Sequence, residues 1–232
     1  MQNILTHYML DRMQKSVSKG PGKEPGPLIT VSRSYGCPGK MVGQELVHEL
    51  NKRLAITHDK RHWRLISKEI LEESAKELKL DKTTIKEAAH SQERGIMTSL
   101  IQSFSNKFYP GDDKVKKTIA DVIKSFALEG KVVIVGRGGV GLTQDIEQSL
   151  HIKLIAPMDW RVQKVCEMQD VSAELATKKI LEIDYKRAKL REYYEGRKPE
   201  DWVFDIIFNL AKVSVEEVIR ITVDTIESRK LL

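Results

Sequence analysis

The stretch Tyr35-Gly36-Cys37-Pro38-Gly39-Lys40 combines residue types suited to holding phosphate. Gly36 and Gly39 accept backbone angles that other residues resist. Successive amides can then turn toward an anion, and a helix that follows adds the positive end of its dipole. Lys40 supplies a full charge. Ser34, Tyr35, Gly36, Cys37, Pro38, Gly39, Lys40 and Met41 are therefore the expected nucleotide-phosphate contacts. Cys37 is expected to be exposed there, with its thiol acidified by the helix N-terminus. A standard phosphate-binding loop reads GxxxxGK and then Ser or Thr. Here Ser34 stands in the place of the first glycine, and Met41 in the place of the magnesium-binding hydroxyl. Ser32 or Ser34, or else water, would have to provide that oxygen.

Cations further along could complete such a site. Arg137 follows an apolar run, and Arg161 opens a helical one. Between Lys186 and Lys198 there are six basic residues against two acidic ones. Phosphoryl transfer requires aligned phosphates and neutralised charge more than covalent help. Arginine suits this because its planar fork bonds two phosphate oxygens and stays protonated. Each residue also has a purely structural reading. Arg161 could merely pair with Asp159 or with a neighbouring helix, and the run from Lys186 could be a solvated helix face. Tyr193 and Tyr194 read as packing, and Trp63 and Trp202 as core or domain-edge residues.

The elements that must position these residues alternate between strands and helices. A β-branched run at 28–31 precedes the loop. Val42, Leu46, Val47, Leu50 and Leu54 then recur at helical spacing. Strands are expected at 64–66, 131–135, 151–156 and 204–208. Helices are expected at 68–78, 83–92, 97–108, 113–128, 159–168, 173–194 and after the capping box Ser214–Glu217. The continuous apolar run at 131–135 suits a parallel strand covered on both faces. Together these predict an α/β fold: a parallel sheet of about five strands with helices on both faces.

Residues 18–27 are rich in proline and glycine and read as a linker. Before it, Ile4, Leu5, Tyr8, Met9 and Met13 form an amphipathic arm that would suit a homodimer contact. The remainder, 28–232, reads as one domain. No run of about 18 apolar residues is present, which argues against a membrane span. Two cysteines, Cys37 and Cys166, fit a reducing, cytoplasmic setting. The net charge of +6 is concentrated locally, which suits a polyphosphate ligand better than a nucleic acid.

Four stretches resemble the cytidylate-kinase-like proteins, a branch of the P-loop nucleoside monophosphate kinases. They are Ile29-Thr30-Val31-Ser32-Arg33-Ser34-Tyr35-Gly36 with Gly39; Ile134-Val135-Gly136-Arg137-Gly138; Ala156-Pro157-Met158-Asp159-Trp160-Arg161; and Asp184-Tyr185-Lys186-Arg187-Ala188 with Tyr193-Tyr194, Trp202, Asp205 and Asn209. The resemblance implies a three-layer P-loop fold and magnesium-dependent phosphoryl transfer from ATP to CMP or dCMP. It implies catalytic roles for Lys40, Arg137, Arg161, Lys186 and Arg187. Acceptor contacts would come from Ser67, Arg137, Asp184 and Arg187. A helical acceptor region would occupy 80–128 and a basic lid 184–200. Gly138 stands where cytidylate kinases carry a base-reading acid. Two other readings stay open: a non-catalytic nucleotide-binding protein with a degenerate loop, and a kinase of another small phosphate acceptor.

Overall fold

A computed structural model describes residues 26–56, 61–66 and 113–232. The expected arm, the linker up to residue 25, the helices between 68 and 108, and Ser67 lie outside the described residues. The chain divides into two compact units. The larger comprises Pro25–Lys68 and Ile123–Leu232; the smaller comprises Met1–Glu24 and Glu69–Val122.

The described elements run β1 (Leu28–Arg33), α1 (Gly39–Leu54), β2 (Arg64–Ile66), α2 (Asp113–Glu129), β3 (Val132–Val135), α3 (Gly139–Thr143), β4 (Ser149–Ile155), α4 (Met158–Gln169), α5 (Ala173–Glu195), a 3-10 turn (Asp201–Val203), β5 (Ile206–Asn209) and α6 (Val215–Ser228). The five strands form one parallel sheet in the order β2-β3-β1-β4-β5. Leu28 lies opposite Val132 on one side and Ser149 on the other. Central β1 therefore carries hydrogen bonds along both edges and needs apolar residues on both faces, as its sequence supplies.

One face packs on α1 and α6. Ile29, Val31, Val133, Val135, Leu150, Ile152 and Leu154 meet Val42, Leu46 and Leu50 there, with Val218, Val223 and Ile226. Gly43 lets α1 settle onto β3: a Cβ at that position would lie 2.6 Å from Val135 Cγ2. On the opposite face, Gly139 of α3 abuts Ile134 and Thr30. Phe126 of α2 sits beneath the Arg64 guanidinium, whose carbon is 5.7 Å from the ring centre. The sheet is thus covered on both sides, as the alternation of strands and helices implied.

Several strand boundaries differ from expectation: β1 runs on to Arg33, β4 spans Ser149–Ile155 and β5 spans Ile206–Asn209, and two of the differences have a local cause. Lys131 has φ 51° and follows Gly130 at φ 76°, so β3 begins one residue later, at Val132. That turn lets the Gly130 backbone touch Gly26, where a Cβ would clash at 2.5 Å. Asp205 does not enter β5 because it brackets His151 instead. Its N–H donates to the His151 carbonyl at 2.8 Å, and its carboxylate accepts from the His151 N–H at 2.7 Å. The capping box of α6 forms as the sequence indicated, with Ser214 and Glu217 each accepting the other's amide.

The His151 ring sets a pH dependence of stability. It is 4% exposed, with Nδ1 2.8 Å from Thr30 Oγ1 and Nε2 3.0 Å from Ser149 Oγ. The Ser149 hydroxyl donates to the Ile146 carbonyl, so it accepts from Nε2–H, and Nδ1 accepts from Thr30. The neutral ring is fully satisfied. Burial dominates and holds its pKa below the ordinary 6.5, outweighing the Asp205 carboxylate. Unfolding therefore takes up a proton as pH falls through the unfolded-state value, and this contribution to stability is lost below about pH 6.5. Urea midpoints at pH 7.5 and 5.5 should show a smaller acid loss for His151→Gln than for wild type. Equal losses would refute the assignment.

Candidate active site

The glycine loop lies beyond the carboxyl end of central β1, where open parallel sheets bind ligands. Gly36 has φ 95°, and a Cβ there would lie 3.1 Å from the Cβ of Arg161. Glycine is required on both counts. Helix α1 starts at Gly39 with no side-chain cap and no acidic residue in its first turn. Its positive end is therefore not neutralised by its own sequence.

Helices α4 and α5 close over this loop. Arg161, in the first turn of α4, has a side chain only 12% exposed. Its Nη1 donates to Asp184 Oδ2 at 2.5 Å and approaches the Tyr35 carbonyl at 3.4 Å. Its Nε is buried without a hydrogen-bond partner among the described residues. Asp184, midway along α5, accepts the Tyr35 N–H on Oδ1 at 2.7 Å. One turn on, Arg187 lies 3.7 Å from Asp184 and donates to the Arg33 carbonyl at 2.9 Å. Its guanidinium stands 5.5 Å over the Tyr35 ring. Two arginines and a loop amide thus converge on one carboxylate, an arrangement that recognises an anionic oxygen.

Arg137 closes the other side. It follows β3 and is only 7% exposed. Gly136, Arg137 and Gly138 all adopt left-handed backbone angles, at φ 72°, 56° and 68°. For arginine this is an uncommon and strained conformation, of the kind that recurs at ligand-binding turns. The Tyr194 ring packs on Gly138, where a Cβ would lie 2.4 Å from Cδ2. Burial and then Tyr193 push the Tyr194 hydroxyl well above its usual range. Tyr194 is a packing residue, as read from the sequence.

Several expectations need correction. Cys37 is buried rather than exposed. Burial pushes its thiol up to about 11, and the nearby Arg161 only partly opposes this. It is not an activated nucleophile. The Met41 side chain turns away from the loop into a groove between α1 and α6, lined also by Glu45, His48, Val215 and Ile219. Lys186 bonds Glu182 on the exposed side of α5 and does not join Arg187. The tryptophans are as expected: Trp202 is 67% exposed with the Arg197 guanidinium 4.6 Å from its ring centre, an edge residue, and Trp63 is core. Ser32 is the next-to-last residue of β1, and Ser34 spends its amide on the Leu154 carbonyl. Lys40 is exposed as the second residue of α1. Sequence reasoning assigned no role to Arg33, although a cation as the last strand residue before a glycine loop was a usable signal.

Residues 28–212 match the sequence profile of the cytidylate kinase-like family. No curated protein matches the chain. Among solved structures, an uncharacterized protein from Eubacterium ventriosum aligns at 22% identity with a TM-score of 0.62, covering 87% of this chain and 98% of its own. Shikimate kinase from Bacteroides thetaiotaomicron aligns at 14% identity with a TM-score of 0.47, covering 87% and 98%. Shikimate kinase from Acinetobacter baumannii, in complex with shikimate, aligns at 13% with a TM-score of 0.45, covering 90% and 97%. The first of these shares the fold. The profile match runs from the first residue of β1 past the end of β5, through the loop and all three arginines: the chain belongs to the cytidylate kinase-like family.

Proposed function

We propose that the chain is a cytoplasmic kinase that transfers a phosphoryl group from ATP to a nucleoside monophosphate, CMP or dCMP. The observation that carries this reading is the meeting of Arg161, Arg187 and the Tyr35 amide beyond the carboxyl end of β1. With Asp184 offsetting one of the two arginine charges, that cluster would still supply net positive charge where a transferring phosphoryl group develops negative charge. The loop residues 34–41 would hold the ATP phosphates, Arg161 the donor side and Arg137 the acceptor phosphate. Arg187, tied to the loop through the Arg33 carbonyl, would act from the lid helix. Magnesium bound with ATP would neutralise phosphate charge, and Ser32, Ser34 or water would have to supply the oxygen, since the Met41 side chain has no hydroxyl.

A coupled ADP assay over a panel of monophosphates tests this. ADP should form only when an acceptor is added, with CMP and dCMP the best of the panel. A second reading, a nucleotide-binding protein without turnover, is favoured by the loop amides already engaged inside the protein. It predicts thermal stabilisation by ATP with no ADP formed on any acceptor, an outcome that would remove the kinase reading.

A further inference from the structure

Four of the loop's amides are already engaged inside the protein. The Ser34 N–H donates to the Leu154 carbonyl at 2.9 Å, Tyr35 to Asp184 at 2.7 Å, Cys37 to the Ser34 carbonyl at 3.2 Å and Gly39 to the Cys37 carbonyl at 2.9 Å. Pro38 has no N–H. A phosphate held here would meet fewer loop amides, which leaves more of its charge to side-chain cations.

One such cation reaches across the loop rather than standing on its rim. Arg33 is the last residue of β1. A Cβ on Gly39 would lie 3.0 Å from its Cδ, and a Cβ on Gly136 would lie 1.7 Å from its Nη1 and 2.6 Å from its Cζ. The side chain therefore passes the first residue of α1 and sets its guanidinium against the backbone just after β3. Strands β1 and β3 are neighbours, with Val31 opposite Val135. The guanidinium thus spans the crevice at their carboxyl ends, between the glycine loop and Arg137. Glycine at 39 and 136 leaves that passage open, while the Arg33 carbonyl holds Arg187.

We infer that Arg33 contacts the phosphates of the nucleotide donor, its guanidinium replacing the loop amides consumed inside the protein. This rests on the phosphate-site reading of the preceding section. A guanidinium suits the task because it offers two parallel donors and cannot deprotonate.

The test compares full-length wild type, Arg33→Ala, Arg33→Gln and Arg33→Lys for binding of ATP and of inorganic tripolyphosphate. Calorimetry gives the affinity, and thermal unfolding without ligand checks the fold. Loss of a charged hydrogen-bonding group should weaken ATP binding by about 10- to 100-fold in R33A, with tripolyphosphate losing a similar factor. R33K, which keeps the charge without the fork, should fall between. R33Q keeps most of the stem across Gly39 and gives the same comparison if R33A fails to fold. Folded R33A or R33Q with wild-type affinity for both ligands would overturn the inference while leaving the phosphate site standing. Wild-type protein that binds neither ligand would overturn both.

Discussion

Arg161→Ala is expected to lower phosphoryl transfer by about 1000-fold, the scale on which a transition-state arginine acts. That corresponds to about 4 kcal/mol of lost transition-state stabilisation. The same substitution removes an ion pair with Asp184, so a structural explanation must be separated from a chemical one. The Asp184 side chain is 31% exposed and retains the Tyr35 amide and Arg187. Solvent screening therefore holds the stability cost nearer the ~1 kcal/mol of an exposed pair than the ~3–5 kcal/mol of a stranded buried charge. The change also removes a buried Nε without a partner among the described residues, which offsets part of the loss. The kinetic effect should exceed the thermodynamic one by a wide margin. ADP release with CMP and a urea midpoint on the same protein read the two separately. Arg161→Ala/Asp184→Ala adds a discriminating case. If Arg161 served only to neutralise Asp184, removing both would restore turnover. If it grips phosphate, the double variant stays slow. Recovery in the double variant, or wild-type turnover in folded R161A, would sink the assignment.

The same cluster shows what the sequence could reveal. The glycine loop between strand and helix was legible because its signal is local: a β-branched strand, two glycines and an amphipathic helix in immediate succession. Strand β3 was legible because it is one unbroken apolar run. The facing of α5 was partly legible. Asp184, Arg187, Arg191 and Tyr194 recur at helical spacing and share the inward side, whereas Lys186 falls a full 100° from Arg187 around the axis. Reading 186–198 as charge density blurred that distinction. Cys37 was misread because its neighbours in sequence suggest an exposed helix start, while it belongs to the buried core cluster that includes β4, β5 and α6, far along the chain. Arg33 was missed for a related reason. Its place before the loop was a local signal, but its course past Gly39 to Gly136 exists only once β1 pairs with β3.

The largest stability effect is expected at Trp63, which ties β2 to the helix carrying the loop. Its side chain is 1% exposed within the core that contains Leu46, Leu50 and Leu54 of α1. Asn51 of α1 fixes its backbone from both sides, accepting its N–H at 2.7 Å and donating to its carbonyl at 2.9 Å. Trp63→Ala would leave a cavity under α1 and should cost about 3–5 kcal/mol, enough to remove a large part of a typical domain's stability. Trp63→Phe should behave differently from a simple loss of volume. The indole Nε1 is buried with no hydrogen-bond partner among the described residues. An unmet buried donor costs about 1–3 kcal/mol, and phenylalanine removes it while keeping most of the apolar contact. The two terms oppose each other, so Trp63→Phe should lie within about 1 kcal/mol of wild type. Urea unfolding of both variants checks the pair. If W63F is as unstable as W63A, the indole nitrogen is doing something that phenylalanine cannot replace, and the orphaned-donor account fails. If W63F is near wild type, the pocket selects for aromatic volume, and α1 holds the glycine loop in place through packing rather than through a polar tether at the indole.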